Sequence, residues 1–229
     1  MDLDEPRALS PRLARVSKTV ARLWDISPPV HATSPVFPGD ARYEQRWATT
    51  IDAGCPVNVS TLTLSPHTGA HADAPLHYDP DGLPVGALEL SPYLGPCRVV
   101  HAIGCGALIE WHHVEHAIDA TLPPRVLVRT YERMPVDRWD GALAGYAPDV
   151  IERLADRGVC LIGIDTASID PAQSKTLDAH QVIRRRDLRV LENLVLDGID
   201  EGDYELIALP LKLSTADASP VRAVLRSLP

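Results

Sequence analysis

The chain has few of the features that mark secreted, membrane or nucleic-acid-binding proteins. No stretch approaches the roughly eighteen apolar residues that a membrane-spanning helix requires. Its 22 lysines and arginines are outnumbered by 31 acidic residues, and a net charge of -9 disfavours a nucleic-acid or anionic-membrane partner. The four cysteines form no C-x-x-C pair and follow no secretory leader, so we expect reduced thiols in a cytoplasmic protein. A soluble enzyme that acts on a small molecule fits these absences.

The usual signs of nucleophilic catalysis are also lacking. The chain contains no G-x-S-x-G elbow, and none of its cysteines lies in an electropositive segment that would lower a thiol pKa. There is one phenylalanine against 21 prolines, which predicts many turns around an aliphatic core. A length of 229 residues fits one domain.

One short segment is rich in metal-binding side chains. Residues 65–77 (SPHTGAHADAPLH) contain His67, His71, Asp73 and His77. Imidazole and carboxylate together suit zinc, iron or manganese. Spacings of four, two and four residues fit no single face of a helix or strand, so a strand end that runs into a loop is expected. This clustering predicts a metal site, for which further ligands must come from elsewhere in the chain.

Apolar runs and turn residues predict a single mixed α/β domain over residues 23–229, preceded by an extension, residues 1–22, to which we assign no chemistry. Alternation of apolar and polar residues predicts strands at 43–51 and 57–64. Further strands are expected at 98–103, 125–129, 159–164 and 204–209. Proline near the start and glycine past the end predict a helix over 148–157, and a second helix is expected at 179–186.

The histidine segment resembles the metal-binding signature of the cyclase family of metal-dependent hydrolases, and the flanking blocks are similar to its bacterial kynurenine formamidase branch. The similarity covers the chain after about residue 22. It is carried by the segments LWDISPP (23–29), FPGD (37–40), YLGPC (93–97), GIDTASID (163–170), DAH (178–180) and LENL (191–194). The resemblance implies a swivelling β/α fold whose mixed sheet forms a partly closed barrel, in a homodimer or larger homo-oligomer.

The resemblance also implies roles for particular residues. Two zinc ions per subunit, replaceable by manganese or cobalt, are expected on five ligands: His67, His71, Asp73, His180 and Glu192. His77 corresponds to the family's catalytic histidine and is expected to act as general base and acid. Phe37 takes the place of a tryptophan that lines the family's substrate pocket. Other interpretations stay open for four of these residues: Glu192 as a solvated charge, His180 as a helix-surface histidine, His77 as a partner that steadies a metal ligand, and Phe37 as a hydrophobic turn anchor.

The activity that this resemblance implies is hydrolysis of N-formyl-L-kynurenine to L-kynurenine and formate, a step of tryptophan degradation. The near alternative is another hydrolase of the cyclase family that acts on an amide, a cyclic imide or a lactone. A more distant alternative is a non-haem iron oxygenase, because His71, Asp73 and His180 satisfy its two-histidine, one-carboxylate ligand set. A metal-binding module without catalysis would need a closed, fully protein-ligated site.

A second group of histidines lies farther along the chain. Residues 112–116 (HHVEH) match the H-x-x-E-H pattern of inverted zinc proteases. Such a protease needs a large helical context around the motif, and this proline-rich chain predicts little of it. A solvated helix face is therefore the preferred interpretation of His112, Glu115 and His116.

Overall fold

A nine-stranded mixed sheet organises the computed structural model, which describes residues 21–228. The strands are β1 (Leu23–Asp25), β2 (Glu44–Thr49), β3 (Val59–Thr63), β4 (His71–Asp73), β5 (Leu94–His101), β6 (Leu108–Ile109), β7 (Arg125–Arg129), β8 (Gly145–Tyr146), β9 (Leu161–Ile164), β10 (Arg189–Glu192), β11 (Gly202–Ile207), β12 (Ala218–Pro220) and β13 (Val224–Arg226). Their order in the sheet is β1-β13-β11-β5-β7-β9-β10-β4-β12, while β2 pairs with β3 and β6 with β8 outside this sheet.

The four central strands of the sheet are parallel, and the outer strands on both sides are antiparallel. Parallel pairing joins β5 to β7, β7 to β9 and β9 to β10. The central strands β7 and β9 are nearly continuous apolar runs, and every residue of β9 is buried. Parallel strands covered on both faces require this composition. The short polar strand β4 lies at the antiparallel side, between β10 and β12.

In the described part of the chain, three α-helices accompany the sheet: α1 (Trp111–Val114), α2 (Pro148–Ala155) and α3 (Asp178–Arg186). Proline occupies the first turn of α2, where its missing N–H costs no hydrogen bond, and Gly158 with φ 86° follows the end of the helix. The buried residues of α2 are Val150, Ile151 and Leu154, one apolar stripe that faces the sheet. Within residues 21–228, no helix is long and apolar enough to cross a membrane.

Two apolar cores lie on opposite faces of the sheet. Alternate residues of one strand belong to different cores, as Val99 and Val100 do in β5. Successive strand residues point to opposite faces, so the alternation shows that both faces are covered. The core that contains Val100 includes the buried residues of α2 and α3, and the core that contains Val99 lies on the other face of the sheet.

The expected fold class is confirmed: the chain forms one mixed α/β domain whose sheet curls into a half-barrel. The predicted strands at 43–51 and 57–64 form the hairpin β2–β3 apart from the main sheet. The predicted helices at 148–157 and 179–186 correspond to α2 and α3. Residues 1–20 of the predicted extension lie outside the part of the chain that the structure describes.

Candidate metal and active site

Three of the predicted ligands share one face of two neighbouring strands. His71 and Asp73 are two residues apart in β4, so their side chains point to the same face. The antiparallel register places Glu192 of β10 directly opposite His71. Directly opposed residues lie side by side on one face of a sheet. All three side chains are buried, with 1% of His71 and Asp73 and 3% of Glu192 exposed.

The fourth predicted ligand, His180, enters from the first turn of α3. Its helix begins after Leu177, whose left-handed backbone (φ 50°) turns the chain sharply inward. The Asp170 carboxylate accepts hydrogen bonds from the N–H groups of Ala179 (2.9 Å) and His180 (3.1 Å). Asp170 thus caps the helix from outside it, satisfying amide groups that have no partner within the helix. His180 is 2% exposed.

His67 completes the cluster from the turn before β4. Its Nδ1 lies 3.0 Å from Asp73 Oδ1, and His71 Nε2 lies 3.4 Å from the same oxygen. His71 Nε2 is 3.3 Å from one oxygen of Glu192. On the other side, His180 Nε2 is 3.4 Å from Asp73 Oδ2 and 3.7 Å from the second oxygen of Glu192. Asp73 therefore offers one oxygen to His67 and His71 and the other to His180, and Glu192 offers one oxygen to His71 and the other to His180.

These donor atoms have the spacing of a metal centre. Ligand atoms on a tetrahedral ion with bonds of about 2.0–2.2 Å lie roughly 3.3–3.6 Å apart. Two of them, His71 Nε2 and Asp73 Oδ1, are buried without a hydrogen-bond partner. Buried polar atoms without partners are rare and costly, and a bound cation would satisfy both. The residues present therefore fit a metal ion.

The second nitrogen of each histidine predicted to be a ligand has an acceptor of its own. His71 Nδ1 is 2.9 Å from the carbonyl oxygen of Gly69, whose left-handed backbone (φ 69°) makes the turn before β4. His180 Nδ1 is 2.7 Å from Asp170 Oδ2. His67 Nε2 is 3.0 Å from Asp217 Oδ2. Metal-binding histidines characteristically donate their other N–H in this way, which fixes the tautomer and the ring orientation.

The electrostatics of the metal-free cluster follow from its burial and its carboxylates. Burial lowers the pKa of His67, but the nearby carboxylates of Asp73 and Asp217 outweigh this effect and raise the pKa to about 10. Burial likewise lowers the pKa of His180, and its contacts with Asp170 and Asp73 raise it to about 10. Burial raises the pKa of Asp73, yet the surrounding histidines hold it well below its usual value. The Asp73 carboxylate is therefore charged, as a cation requires.

The structure places His77 beside the cluster, in the short 3-10 helix Pro75–His77. Its ring centre is 4.3 Å from that of His67 and 5.8 Å from that of His180. Its side chain is 32% exposed, so it faces the open side of the site. One donor atom each of His67, Asp73 and His77 lie within 4.8 Å of one another, so His77 is also within reach of a metal.

Sequence reasoning missed Asp217, which contacts two of these histidines. Its Oδ2 lies 3.0 Å from His67 Nε2 and 3.3 Å from His77 Nδ1. Asp217 immediately precedes β12, and its carbonyl oxygen accepts the N–H of Ala74 at 2.8 Å. The pairing of β12 with β4 therefore brings Asp217 to the cluster, 150 residues after His67. No local pattern around residue 217 signals this contact.

A cavity of about 430 Å³ opens onto the cluster. His67, His77 and His180 line one part of it, and Phe37 lines another. Phe37 packs edge-to-face on Trp139, with ring centres 5.0 Å apart, and Trp139 also lines the cavity. Sequence reasoning did not find Trp139, because its loop has no periodic pattern. An apolar cavity with a few convergent polar groups is the usual form of a small-molecule site.

The second histidine motif lies outside this cluster. His112 and His116 are both more than half exposed, and they pair with Glu110 (3.3 Å) and Glu201 (3.0 Å) respectively. Helix α1 ends at Val114 and continues as one 3-10 turn, so the long helical context of a protease is missing from this part of the structure. Their surroundings are those of solvated surface histidines, and neither lines the cavity.

Comparisons with known proteins identify the family of the chain. A family model described as a putative cyclase matches residues 24–171, more than half of the chain. Kynurenine formamidase of Paracidovorax citrulli is 71% identical over 212 residues, which are 91% of this chain and 98% of that protein. Kynurenine formamidase of Delftia acidovorans is 72% identical over 207 residues, 90% of this chain and 98% of that protein. The chain belongs to the cyclase family.

Solved structures show the same fold. One described as a potential metal-dependent hydrolase with cyclase activity superposes with a TM-score of 0.77 at 26% identity, covering 91% of this chain and 99% of that one. An isatin hydrolase bound to thioisatinate superposes with a TM-score of 0.76, covering 90% of this chain and 92% of that one. At 21% identity, the second likeness concerns the fold alone.

Proposed function

We propose that this protein hydrolyses the formamide bond of N-formyl-L-kynurenine, releasing L-kynurenine and formate. Membership of the cyclase family and relatives at 63–72% identity make it a metal-dependent amidohydrolase. The substrate assignment rests on the relatives, which are kynurenine formamidases. The observation that carries the chemistry is the buried cluster of His71, Asp73, His180 and Glu192, in which each carboxylate faces two sets of nitrogens.

We assign the cluster to two zinc ions. His67 Nδ1, His71 Nε2 and one oxygen each of Asp73 and Glu192 would hold the first ion. His180 Nε2 and the remaining oxygens of Asp73 and Glu192 would hold the second. When bound, such ions polarise a carbonyl group and lower the pKa of water to near neutrality. Manganese or cobalt would substitute, because the donor set of imidazole and carboxylate suits them as well.

The same geometry supports a hydrolase over the alternative of an iron oxygenase. A facial triad gathers two histidines and one carboxylate oxygen on a single ion. Here His71 approaches Oδ1 of Asp73, whereas His180 approaches Oδ2. His71 and His180 therefore lie at different oxygens of Asp73, and Glu192 likewise has one oxygen near each of these two histidines. A pair of bridging carboxylates is the arrangement of a binuclear hydrolytic site.

We assign proton transfer to His77. Water adds to the formyl carbon, the C–N bond breaks, and the aryl amine nitrogen must gain a proton as it leaves. Nδ1 of His77 lies 3.3 Å from Asp217 Oδ2. If the Nδ1–H group donates a hydrogen bond to this oxygen, Nε2 of His77 is free to take a proton from water and pass it to the amine. Asp217 thereby orients His77 as well as the ligand His67. The weakly basic aryl amine is a good leaving group, and the small formyl group can reach a recessed site.

The test is to mix zinc-loaded protein with N-formyl-L-kynurenine and follow the absorbance of kynurenine. Prompt conversion that a chelator suppresses supports the proposal. No conversion, with about two zinc ions bound per chain, would contradict the substrate and direct attention to lactones and cyclic imides. Bound iron with oxygen consumption would contradict the reaction class.

Two variants separate the roles within the site. Asp73→Ala should lose metal and activity together, because Asp73 contacts His67, His71 and His180. His77→Ala should retain metal and lower kcat by roughly 10²–10⁴-fold, as expected for a lost acid–base group. Metal analysis of purified His77→Ala decides the point: an empty site would make His77 a ligand.

A homodimer or larger homo-oligomer in the cytoplasm remains our prediction for the assembly. It is supported by the hairpin β2–β3, whose two strands are largely exposed. Trp47, Val59 and Leu62 on this hairpin are each about half exposed. A two-stranded hairpin is marginal by itself, and exposed apolar residues in contiguous patches mark contact surfaces. Sedimentation of the purified protein would show a monomer if this prediction is wrong.

A further inference from the structure

The cavity is lined by more acidic than basic side chains, in keeping with a protein that has nine more acidic than basic residues. Among the described residues that line the cavity, Arg138 is the only lysine or arginine. It lies in the segment 131–140, which also supplies Tyr131, Trp139 and Asp140 to the lining. An arginine in this position is the natural partner of a negatively charged group on the bound molecule.

Two of the acidic residues that line the cavity with Arg138, Asp140 and Asp40, already have partners within the protein. Asp140 accepts hydrogen bonds from the Tyr131 hydroxyl (2.8 Å) and from the N–H of Ala142 (3.0 Å). Asp40 accepts one from the Ser65 hydroxyl at 2.9 Å. By contrast, within residues 21–228 the guanidinium of Arg138 forms neither an ion pair nor a hydrogen bond, and its exposed side chain adjoins the cavity.

The segment that carries Arg138 is held in place at several points. The buried carboxylate of Asp165 accepts the N–H groups of Thr130 and Tyr131, each at 2.9 Å. Asp197 accepts the N–H of Met134 at 3.0 Å. Trp139, the next residue after Arg138, packs on Phe37. A binding residue on a fixed wall loses little entropy when a ligand arrives.

We propose that Arg138 binds the α-carboxylate of an amino-acid substrate, whose aryl ring packs against the Phe37–Trp139 pair. Guanidinium and carboxylate match in a planar, two-bond geometry that lysine or a neutral side chain cannot reproduce. This inference rests on the proposed function and deepens it: the substrate is an aryl formamide that carries a carboxylate. Arg138 is therefore a specificity-determining residue, and the chemistry at the metal cluster does not require it.

A pair of substrates tests the proposal. N-Formyl-L-kynurenine carries the amino-acid head, and o-formamidoacetophenone has the same formylated aryl ketone without it. Arg138→Ala should raise KM for N-formyl-L-kynurenine by about 10- to 100-fold, the usual effect of a lost charge-assisted hydrogen-bond pair, with little change in kcat. Its kcat/KM for o-formamidoacetophenone should equal that of the parent protein. Arg133→Ala is the matched control, because Arg133 is exposed in the same segment and does not line the cavity.

Binding measurements separate this proposal from the proposed function. Calorimetric titration with L-kynurenine and with o-aminoacetophenone requires no turnover, so it remains informative if the parent protein hydrolyses neither formamide. Weaker binding of L-kynurenine alone in Arg138→Ala supports the carboxylate site. Equal losses for both ligands, or no loss for L-kynurenine, would overturn it.

Discussion

Asp217 offers the most discriminating test of how the site is organised, because one carboxylate oxygen serves both a metal ligand and the proposed proton carrier. Asp217→Asn removes the charge and keeps one acceptor oxygen. Outer partners of metal-binding histidines are typically worth 10- to 100-fold in metal affinity or activity. The side chain of Asp217 is 41% exposed, so water screens part of its charge. We therefore expect the lower end of the range, about 10-fold weaker zinc binding and about 10-fold lower kcat at saturating zinc.

Two measurements are needed, since both effects reduce activity at limiting zinc. Competition with a chromophoric chelator gives the zinc affinity, and initial rates with N-formyl-L-kynurenine at saturating zinc give kcat and KM. Asp203→Asn is a suitable control: its side chain is similarly exposed (38%), and it pairs with Arg98 on another part of the sheet. That control should weaken folding stability slightly and leave zinc binding and kcat unchanged.

A double variant isolates the effect that passes through His77. If Asp217 influences turnover by orienting His77, then Asp217→Asn should lower kcat no further once His77→Ala is present, at saturating zinc. Non-additivity of this kind identifies residues that act as a unit. Independent, multiplying losses would refute the orienting role. Unchanged zinc affinity in Asp217→Asn would refute the contact with His67 as a support for the ligand.

Three further outcomes follow from the geometry and electrostatics of the site. Removal of metal by a chelator should abolish hydrolysis, and added zinc, manganese or cobalt should restore it; full activity in chelator would end the metal hypothesis. The pKa values of His67 and His180 near 10 mean that both are protonated at pH 7 in the metal-free protein. Zinc must displace these protons, so its apparent affinity should rise between pH 7 and 9, by up to about tenfold per pH unit for each proton released. Zinc titrations at several pH values would measure this rise. A zinc affinity that does not change with pH would mean that the histidines are already neutral. Joint replacement of His112 and His116 by alanine should leave kcat/KM within about twofold, as is usual for exposed side chains, and a large loss would restore the H-x-x-E-H motif as a candidate site.

The parts of the fold that could be predicted from sequence are those with a local cause. Helix α2 has proline at its start, glycine beyond its end and one apolar stripe, and each of these acts within a few residues. The segment 65–77 holds His67, His71, Asp73 and His77 within one turn, one strand and one 3-10 helix. Residues that are close in this part of the sequence are therefore also close in the folded protein. His180 and Glu192 depended on the family resemblance. A lone histidine in a helix and a lone glutamate at a strand end carry no signal of their own.

The remainder of the site depends on strand pairing, which the sequence pattern did not specify. Glu192 faces His71 because β10 pairs antiparallel with β4, and Asp217 reaches His67 because β12 pairs with the other edge of β4. A shift of either register by one residue would turn these side chains to the opposite face. The short strand β4 thus determines the site twice: it carries two of the proposed ligands, and its two edges select which distant residues join them. Changes that shift the register of β10 or β12 should therefore weaken metal binding, although both strands are far from residues 65–77 in sequence.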